Sequence, residues 1–385
     1  MKSTPGFITW QPVLTDHQAY TYLALQERSG RPVVSYVTAR EDEVRRAQGW
    51  AETRVDTVAR VLVPKRGFLK FFWHALRDHR EQVHVFASPF QQPKLMLVLF
   101  LAVFMRLDVY LISEPYSPIS DGYYADHQRW RARFKSKLRP ILYRLYALLL
   151  GRRIQGIFVI SQLAATQYQR AGIPADKLLP FGYFVPKTAP VPNSSFAGNE
   201  RVRCIFVGSL IRRKGIDLLL TAMAELHRRG VPCEMDVYGP GDARLLQGCL
   251  GVRYCGSIPF GHAQAVIAQY DLFVLPSRHD GWGVVVNEAI CAGVPVLCSD
   301  RTGAGDMAVA LGAARLFVSE DLDSLVREME VLVTRRDVLA ALKQATVAAA
   351  SQLQPEVAAD YFLACVRAPQ NARARLPSPW YGTAK

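Results

Sequence analysis

Residues 271–300 read DLFVLPSRHDGWGVVVNEAICAGVPVLCSD. Asp271 to Ser277 is a short apolar run ending at a turn, the pattern of a strand buried on both faces. Arg278 to Trp282 is polar and contains Gly281, so it reads as a loop. Gly283 to Ala292 lacks proline and is compatible with a helix. Gly293 suits the left-handed position past a helix end, and Pro295 blocks continuation. Val296 to Ser299 opens another strand. In an α/β protein a loop leading from a parallel strand into a helix lies at the carboxyl edge of the sheet, where ligands bind. The helix start offers unbonded N–H groups and the positive end of the dipole to an anion. Two acids flank this turn, Asp280 before it and Glu288 within the helix. Either acid alone reads as a cap or a solvated side chain. An acid, Gly-Trp-Gly, a second acid and Gly-x-Pro together read as a ligand site.

The chain has 385 residues, half of them apolar, and a net charge of +14. That length predicts two domains, each with a sizeable core. The charge predicts an anionic partner or surface: nucleic acid, an anionic membrane face or a phosphorylated substrate. The seven cysteines are scattered without a C-x-x-C pair, which predicts reduced, mostly buried thiols rather than disulfides or zinc ligands. The first residues lack the apolar core of a signal peptide. The longest apolar run, Leu95 to Met105, falls short of the roughly 20 residues that span a bilayer. The expected location is the cytoplasm, peripheral at the inner face of the cell membrane.

Outward from the quoted stretch, strands are expected at Phe7–Trp10, Arg31–Thr38, Val83–Ala87, Asp108–Ser113 and Gly156–Ser161. Thr15 or Asp16 is expected to cap a helix running to about Ser29. His17 stands just after the first strand. It reads either as a ligand-facing group at the edge of the sheet or as a surface histidine beside a helix start. Glu114 follows the carboxyl end of a strand, and reads either as a group that bonds or deprotonates a hydroxyl or as a structural acid paired with an arginine. Between Arg129 and Arg153 the chain carries nine cations and no acid. Within that run Ile141, Leu142, Leu145, Leu148 and Leu149 repeat at helical spacing. The helix either lies on an anionic membrane or turns its leucines to the core and its charges to water.

The segment 187–200, rich in Pro, Ser and Asn, is the expected linker between a first domain at 1–186 and a second at 201–350. A helix is expected within 351–370 and a loose tail at 371–385. In the second domain a strand from Val202 leads through Gly208 and Ser209 to Arg212-Arg213-Lys214-Gly215 and a helix. Two cations at a strand-to-helix turn suit a diphosphate, and the Walker pattern is absent. Asp321 to Leu342 is expected to be helical. No period of 20–50 residues recurs, so a solenoid is not expected.

Asp280, seven residues, then Glu288 resembles the signature of the retaining, GT-B-fold glycosyltransferases of family GT4, with Asp where the family more often has Glu. The Gly293-Val294-Pro295 end agrees. The resemblance covers Val202 to Val318 strongly and the first half weakly. It implies two Rossmann-like α/β domains facing across a deep cleft, with a C-terminal helix crossing back to the first domain. It implies that Glu288 accepts hydrogen bonds from ribose hydroxyls, that Asp280 holds sugar hydroxyls, and that Gly281 and the N–H groups of Trp282, Gly283 and Val284 face the sugar or phosphates. Lys214-Gly215 matches the diphosphate-binding turn. Ser209 occupies the family's usual Arg position, which leaves Arg212 or Arg213 to supply the second charge. The loop Gly256 to Pro259, with Ile258, corresponds to the one that holds the base. In relatives a Gly-rich turn facing the acceptor follows the first strand, where this chain has His17, so the resemblance implies an acceptor-binding place for His17. A His ends the strand where this chain has Glu114. The resemblance implies no catalytic metal and no cofactor beyond the nucleotide-sugar donor, and no D-x-D motif stands between the strands. The implied activity is transfer of a sugar to a saccharide or lipid-linked acceptor in bacterial surface polysaccharide synthesis. Rival readings are an epimerase or phosphorylase of the same fold, a nucleic-acid-binding protein using the basic run, and a non-catalytic partner subunit.

Overall fold

The computed structural model describes residues 6–40, 55, 57–87, 89–117, 129–188, 201–373 and 375–381. In the first half the elements run β1 (Phe7–Gln11), α1 (Asp16–Ser29), β2 (Val33–Val37), β3 (Ala59–Leu62), α2 (Phe68–Asp78), β4 (Val83–Ala87), α3 (Pro93–Phe104), β5 (Asp108–Ser113), α4 (Arg129–Leu150), β6 (Gly156–Ile160), α5 (Gln162–Ala171) and β7 (Leu178–Phe181). The second half runs β8 (Val202–Val207), α6 (Ile216–Arg228), β9 (Cys233–Tyr238), β10 (Val252–Tyr254), α7 (Ala263–Ile267), β11 (Leu272–Leu275), α8 (Val284–Cys291), β12 (Val296–Ser299), α9 (Gly305–Ala310), β13 (Ala314–Phe317), α10 (Leu322–Thr334) and α11 (Arg336–Ala349). Two helices close the chain, α12 (Pro355–Arg367) and α13 (Gln370–Arg373).

The described strands pair in parallel into two sheets, ordered β3-β2-β1-β4-β5-β6-β7 and β10-β9-β8-β11-β12-β13. Helices cover both faces, so the central strands β1, β4, β6 and β11 are buried along their whole length. Each sheet reverses its order once, between β1 and β4 and between β8 and β11. Such a switch point opens a crevice at the carboxyl ends of the strands. In the second sheet the turn after β8 and the turn after β11 are therefore neighbours. They carry Lys214 and Asp280.

The chain returns to the first domain at its end. Phe362 of α12 stacks on Phe158 of β6 at 4.3 Å and meets Phe7 of β1 edge-on at 5.9 Å. The expected loose tail is instead docked. Trp380 is fully buried, 4.5 Å from the Phe184 ring and 5.4 Å from Tyr361. Arg373 donates to the Gln155 carbonyl at 3.0 Å and lies over the Tyr110 ring. The cause is apolar burial: a tryptophan packed among Phe181, Phe184 and Tyr361 outweighs the polar composition around it. The expected single helix from Asp321 to Leu342 is two. It breaks at Arg335, which lies outside helical geometry and grips Asp337 with both ends of its guanidinium. Most of the linker expected at 187–200 lies outside the described residues. Lys187 and Thr188 are held by Gln354 and Gln264.

The basic helix α4 turns most of its apolar stripe outward, with Leu142 half-buried. Ile141, Leu145 and Leu149 are about half exposed or more, and Leu148 is 78% exposed. Only Ala147 and Leu150 on its second half are buried. The core-facing reading of that stripe is thereby overturned.

Candidate functional site

The turn after β8 is built so that its cations reach the crevice. Gly215 adopts a left-handed conformation (φ +74°), and a Cβ there would fall 1.8 Å from the Pro276 carbonyl oxygen. Only glycine lets this turn lie against the end of β11. Lys214 then donates to the Asp280 carboxylate, and both side chains are largely buried. Burial pushes the Asp280 carboxyl up, but Lys214 and Arg213 outweigh it and hold it below the usual carboxylate range. Arg213 donates to the His279 carbonyl at 3.0 Å, whereas Arg212 is exposed. Of the two arginines open to the diphosphate role, the structure brings Arg213 to the site. Gly208 lies 3.9 Å, measured from an added Cβ, from the Lys214 side chain, and Ser209 follows it at the rim.

A buckle that the sequence reading missed holds this turn against the β11 loop. Arg278 is 9% exposed and donates to both carboxylate oxygens of Asp217, to Glu320 and to the Arg212 carbonyl. Its signal was an arginine beside the acid of the motif, with nothing in the local pattern to name partners 61 and 42 residues away.

α8 starts at Gly283, which is left-handed (φ +87°) and supplies no side-chain cap. Among the described residues no acceptor takes the amides of Gly281, Trp282, Gly283 or Val284. Four N–H groups at the positive helix end are therefore left for a ligand or water to take. Glu288 lies one turn further on. Among the described residues no donor reaches its carboxylate, and burial pushes its pKa up to about 7. An under-bonded carboxylate in a half-buried wall is a strong acceptor for a pair of hydroxyls. Ile258 lies half-buried on the loop after β10, two strands from the Lys214 turn.

The first domain closes over this loop. Glu114, after β5, touches Gly281: a Cβ there would lie 2.7 Å from the Glu114 Oε2. The Trp282 ring is buried and donates through Nε1 to the Tyr183 carbonyl (3.1 Å) and to Asn287 (3.0 Å). A Cβ on Gly182 would lie 2.4 Å from that ring. The Trp282 side chain thus fastens the β11 loop to the first domain. His17 is not a surface histidine. It is 5% exposed, shares a 2.9 Å hydrogen bond with Thr15, and packs on the Tyr183 ring at 4.3 Å. It therefore stands behind the Tyr183–Trp282 contact. Ser161, at the end of β6, has φ +85°, an unusual conformation for a non-glycine residue. Its Cβ approaches Gly303, the residue whose amide donates to the Asp280 carbonyl.

A cavity of about 400 Å³ reaches His279, the residue before Asp280. Tyr116, Tyr143, Arg144, Gln167 and Arg170 wall it from the first domain, and His279 and Arg301 from the second. Burial pushes the His279 pKa down to about 4, and Arg213, Arg301 and Arg139 add to this against the pull of Asp280. His279 is therefore neutral near pH 7. Among the described residues no group of three or more His, Cys, Asp or Glu side chains is arranged to hold a metal ion.

Residues 201–335 match the family model described as "Glycosyl transferases group 1". Among curated proteins the chain is similar to an alpha-D-kanosaminyltransferase of Streptomyces kanamyceticus, 31% identical over 27% of this chain and 29% of that protein. It is also similar to the putative teichuronic acid biosynthesis glycosyltransferase TuaC of Bacillus subtilis, 32% identical over 30% of this chain and 32% of that one. A GDP-mannose-dependent phosphatidylinositol monomannoside mannosyltransferase of Mycolicibacterium smegmatis is 25% identical over 46% of this chain and 52% of its own length. The chain thus spans about a third to a half of these relatives. Among solved structures, Anabaena HepE in complex with UDP-glucose superposes with a TM-score of 0.64 at 14% identity, covering 93% of this chain and 98% of that one. WaaG, a glycosyltransferase of lipopolysaccharide biosynthesis, superposes with a TM-score of 0.60 at 17% identity, covering 92% and 98%. These likenesses establish the GT-B fold.

Proposed function

We propose that this chain, whose residues 201–335 form a group 1 glycosyltransferase domain, moves a sugar from a nucleotide-diphosphate sugar to a saccharide or lipid-linked acceptor with retention of anomeric configuration. The observation that carries the reading is the unpartnered Glu288 carboxylate on α8, on the same side of the sheet edge as the Lys214–Asp280 pair and the free amides of the α8 start. Glu288 takes the ribose hydroxyls. Lys214 has three N–H donors and commits one to Asp280, which leaves two for the diphosphate. Arg213 and the α8 amides share the charge that grows on the leaving diphosphate as the glycosidic bond breaks. Asp280 orients sugar hydroxyls through its remaining lone pairs. The acceptor hydroxyl attacks on the face the diphosphate leaves, and a leaving phosphate oxygen takes its proton. Glu114, against Gly281, bonds the acceptor or the sugar from the first domain.

The acceptor side is assigned to the first domain and to an anionic membrane surface. Phe134, Leu138, Ile141, Leu145 and Leu148 form one exposed stripe along α4, flanked by exposed Arg144, Arg152 and Arg153. An apolar stripe edged with arginines suits an interfacial helix. Among the described residues no helix is long and apolar enough to cross a membrane. The exposed stripe supports a peripheral enzyme at an anionic membrane face, and the likeness to the teichuronic acid glycosyltransferase supports a role in synthesis of a bacterial surface polysaccharide.

The test is a panel of UDP, GDP, dTDP and ADP sugars, read by donor hydrolysis and nucleotide titration. One nucleotide class should bind, and Glu288→Ala should abolish most turnover. Normal turnover in that variant, or no nucleotide bound at all, rejects the reading.

A further inference from the structure

The cavity that reaches His279 has a charge pattern that donor binding does not use. Its wall carries Arg144 and Arg170 from the first domain and Arg301 from the second, and among the described residues no carboxylate. Arg139 stands close by, with its guanidinium on the Ser117 carbonyl at 3.2 Å. Among the described residues neither Arg144 nor Arg170 has an ion-pair partner. Arg301 reaches only Asp300, at 4.0 Å and in water. Like charges gathered at one cavity repel, and a doubly charged anion between them relieves that repulsion.

One wall of the cavity is braced, and its other side adjoins the Asp280 turn. Gln167 locks Tyr116 in place, accepting from its amide at 3.0 Å and donating to its carbonyl at 2.8 Å. Tyr143 meets Tyr116 edge-on at 4.8 Å, so the wall offers aromatic faces as well as cations. On the other side, the Asp280 amide donates to the Arg301 carbonyl at 3.0 Å. The cavity therefore reaches the turn that carries the residue assigned to the transferred sugar.

We propose that this cavity is an acceptor subsite that binds a phosphate group, with Arg144, Arg170 and Arg301 as its ligands and Tyr116 and Tyr143 as apolar walls. Guanidinium forks match phosphate oxygens two at a time, which a single carboxylate cannot exploit to the same degree. The acceptor is then a phosphate-bearing molecule, either a lipid-linked phosphate or a soluble sugar phosphate. The inference rests on the glycosyltransferase reading for the word acceptor, but the phosphate site is tested separately.

The experiment is calorimetric titration of the full chain, first with nucleoside diphosphates and then, at saturating nucleotide, with four probes. These are glucose 1-phosphate, citronellyl phosphate, glucuronic acid and methyl glucoside. At least one phosphate probe should bind, and Arg170→Gln with Arg301→Gln should weaken it about tenfold or more. The same pair should leave nucleotide affinity within about twofold, because among the described residues no hydrogen bond or ion pair joins either side chain to the Lys214 turn. Binding of citronellyl phosphate alone assigns a lipid source, and of glucose 1-phosphate alone a soluble one. The proposal is overturned if neither phosphate binds, if the double variant binds it unchanged, or if glucuronic acid or methyl glucoside binds equally well. Arginine-dependent phosphate binding without any nucleotide binding would sink the donor reading and leave this site standing.

Discussion

Lys214 and Asp280 form one ion pair across the crevice between the β8 and β11 turns, although 66 residues separate them. Each was expected to act on its own, the lysine on diphosphate and the aspartate on sugar. The pairing couples them: Asp280 is kept ionised by the cation that also serves the phosphates. Lys214→Ala should then cost about 3 kcal/mol of stability, because it strands a buried carboxylate. It should also weaken nucleoside diphosphate binding. Lys214→Ala combined with Asp280→Asn should recover most of the melting temperature and none of the affinity. Thermal melts and titrations of the double-mutant cycle separate the two effects, and a double variant no more stable than Lys214→Ala refutes the coupling.

Glu288 links affinity to pH. Burial raises its pKa to about 7, and only the ionised form is a pure acceptor for a diol. Nucleotide affinity should fall as pH drops from 8 to 6, and this slope should vanish in Glu288→Gln. A slope that persists in the variant assigns it to another group.

The same residue lowers stability at high pH. A folded pKa above the unfolded value favours the fold below about pH 4.5, and that contribution is lost as pH rises through 7. Glu288→Gln should therefore melt above the wild type at pH 8, by at most about 3 kcal/mol. The gap should close towards pH 5. Equal melting temperatures at pH 8 would show that the carboxylate pays no burial penalty there.

Trp282→Phe removes the Nε1–H that reaches Tyr183 across the domain interface and Asn287 within α8. The loss of two buried hydrogen bonds should cost about 1–3 kcal/mol. The variant's KM for donor should rise with little change in melting of the first domain alone under limited proteolysis. Unchanged stability and KM would detach the indole from domain closure.

Ile141→Glu with Leu148→Glu places acids on the exposed stripe of α4. Exposed sites away from packing shift stability by about 0.5 kcal/mol or less, so the fold should hold. Sedimentation with phosphatidylglycerol vesicles should be lost while soluble turnover remains. Equal vesicle binding by variant and wild type rejects α4 as the membrane face.

Local chemistry carried much of this reading. The strand, loop and helix of 271–300, the left-handed Gly293 and the parallel sheets follow from apolar runs, glycines and Pro295, which act over a few residues. The resemblance of Asp280 and Glu288 to a known spacing is local too, as is Lys214-Gly215. Chain folding decided the rest, because it depends on which distant groups meet. Neither residue's neighbours in the chain distinguish Arg213 from Arg212; the β11 loop does, by offering the His279 carbonyl to one of them. The outward face of α4 and the docked Trp380 follow from the surfaces that surrounding elements leave covered or bare. The arginine-lined cavity draws its wall from loops and helices of both domains. Propensity and periodicity are properties of neighbours in sequence, whereas ion pairs, burial and cavities belong to neighbours in space.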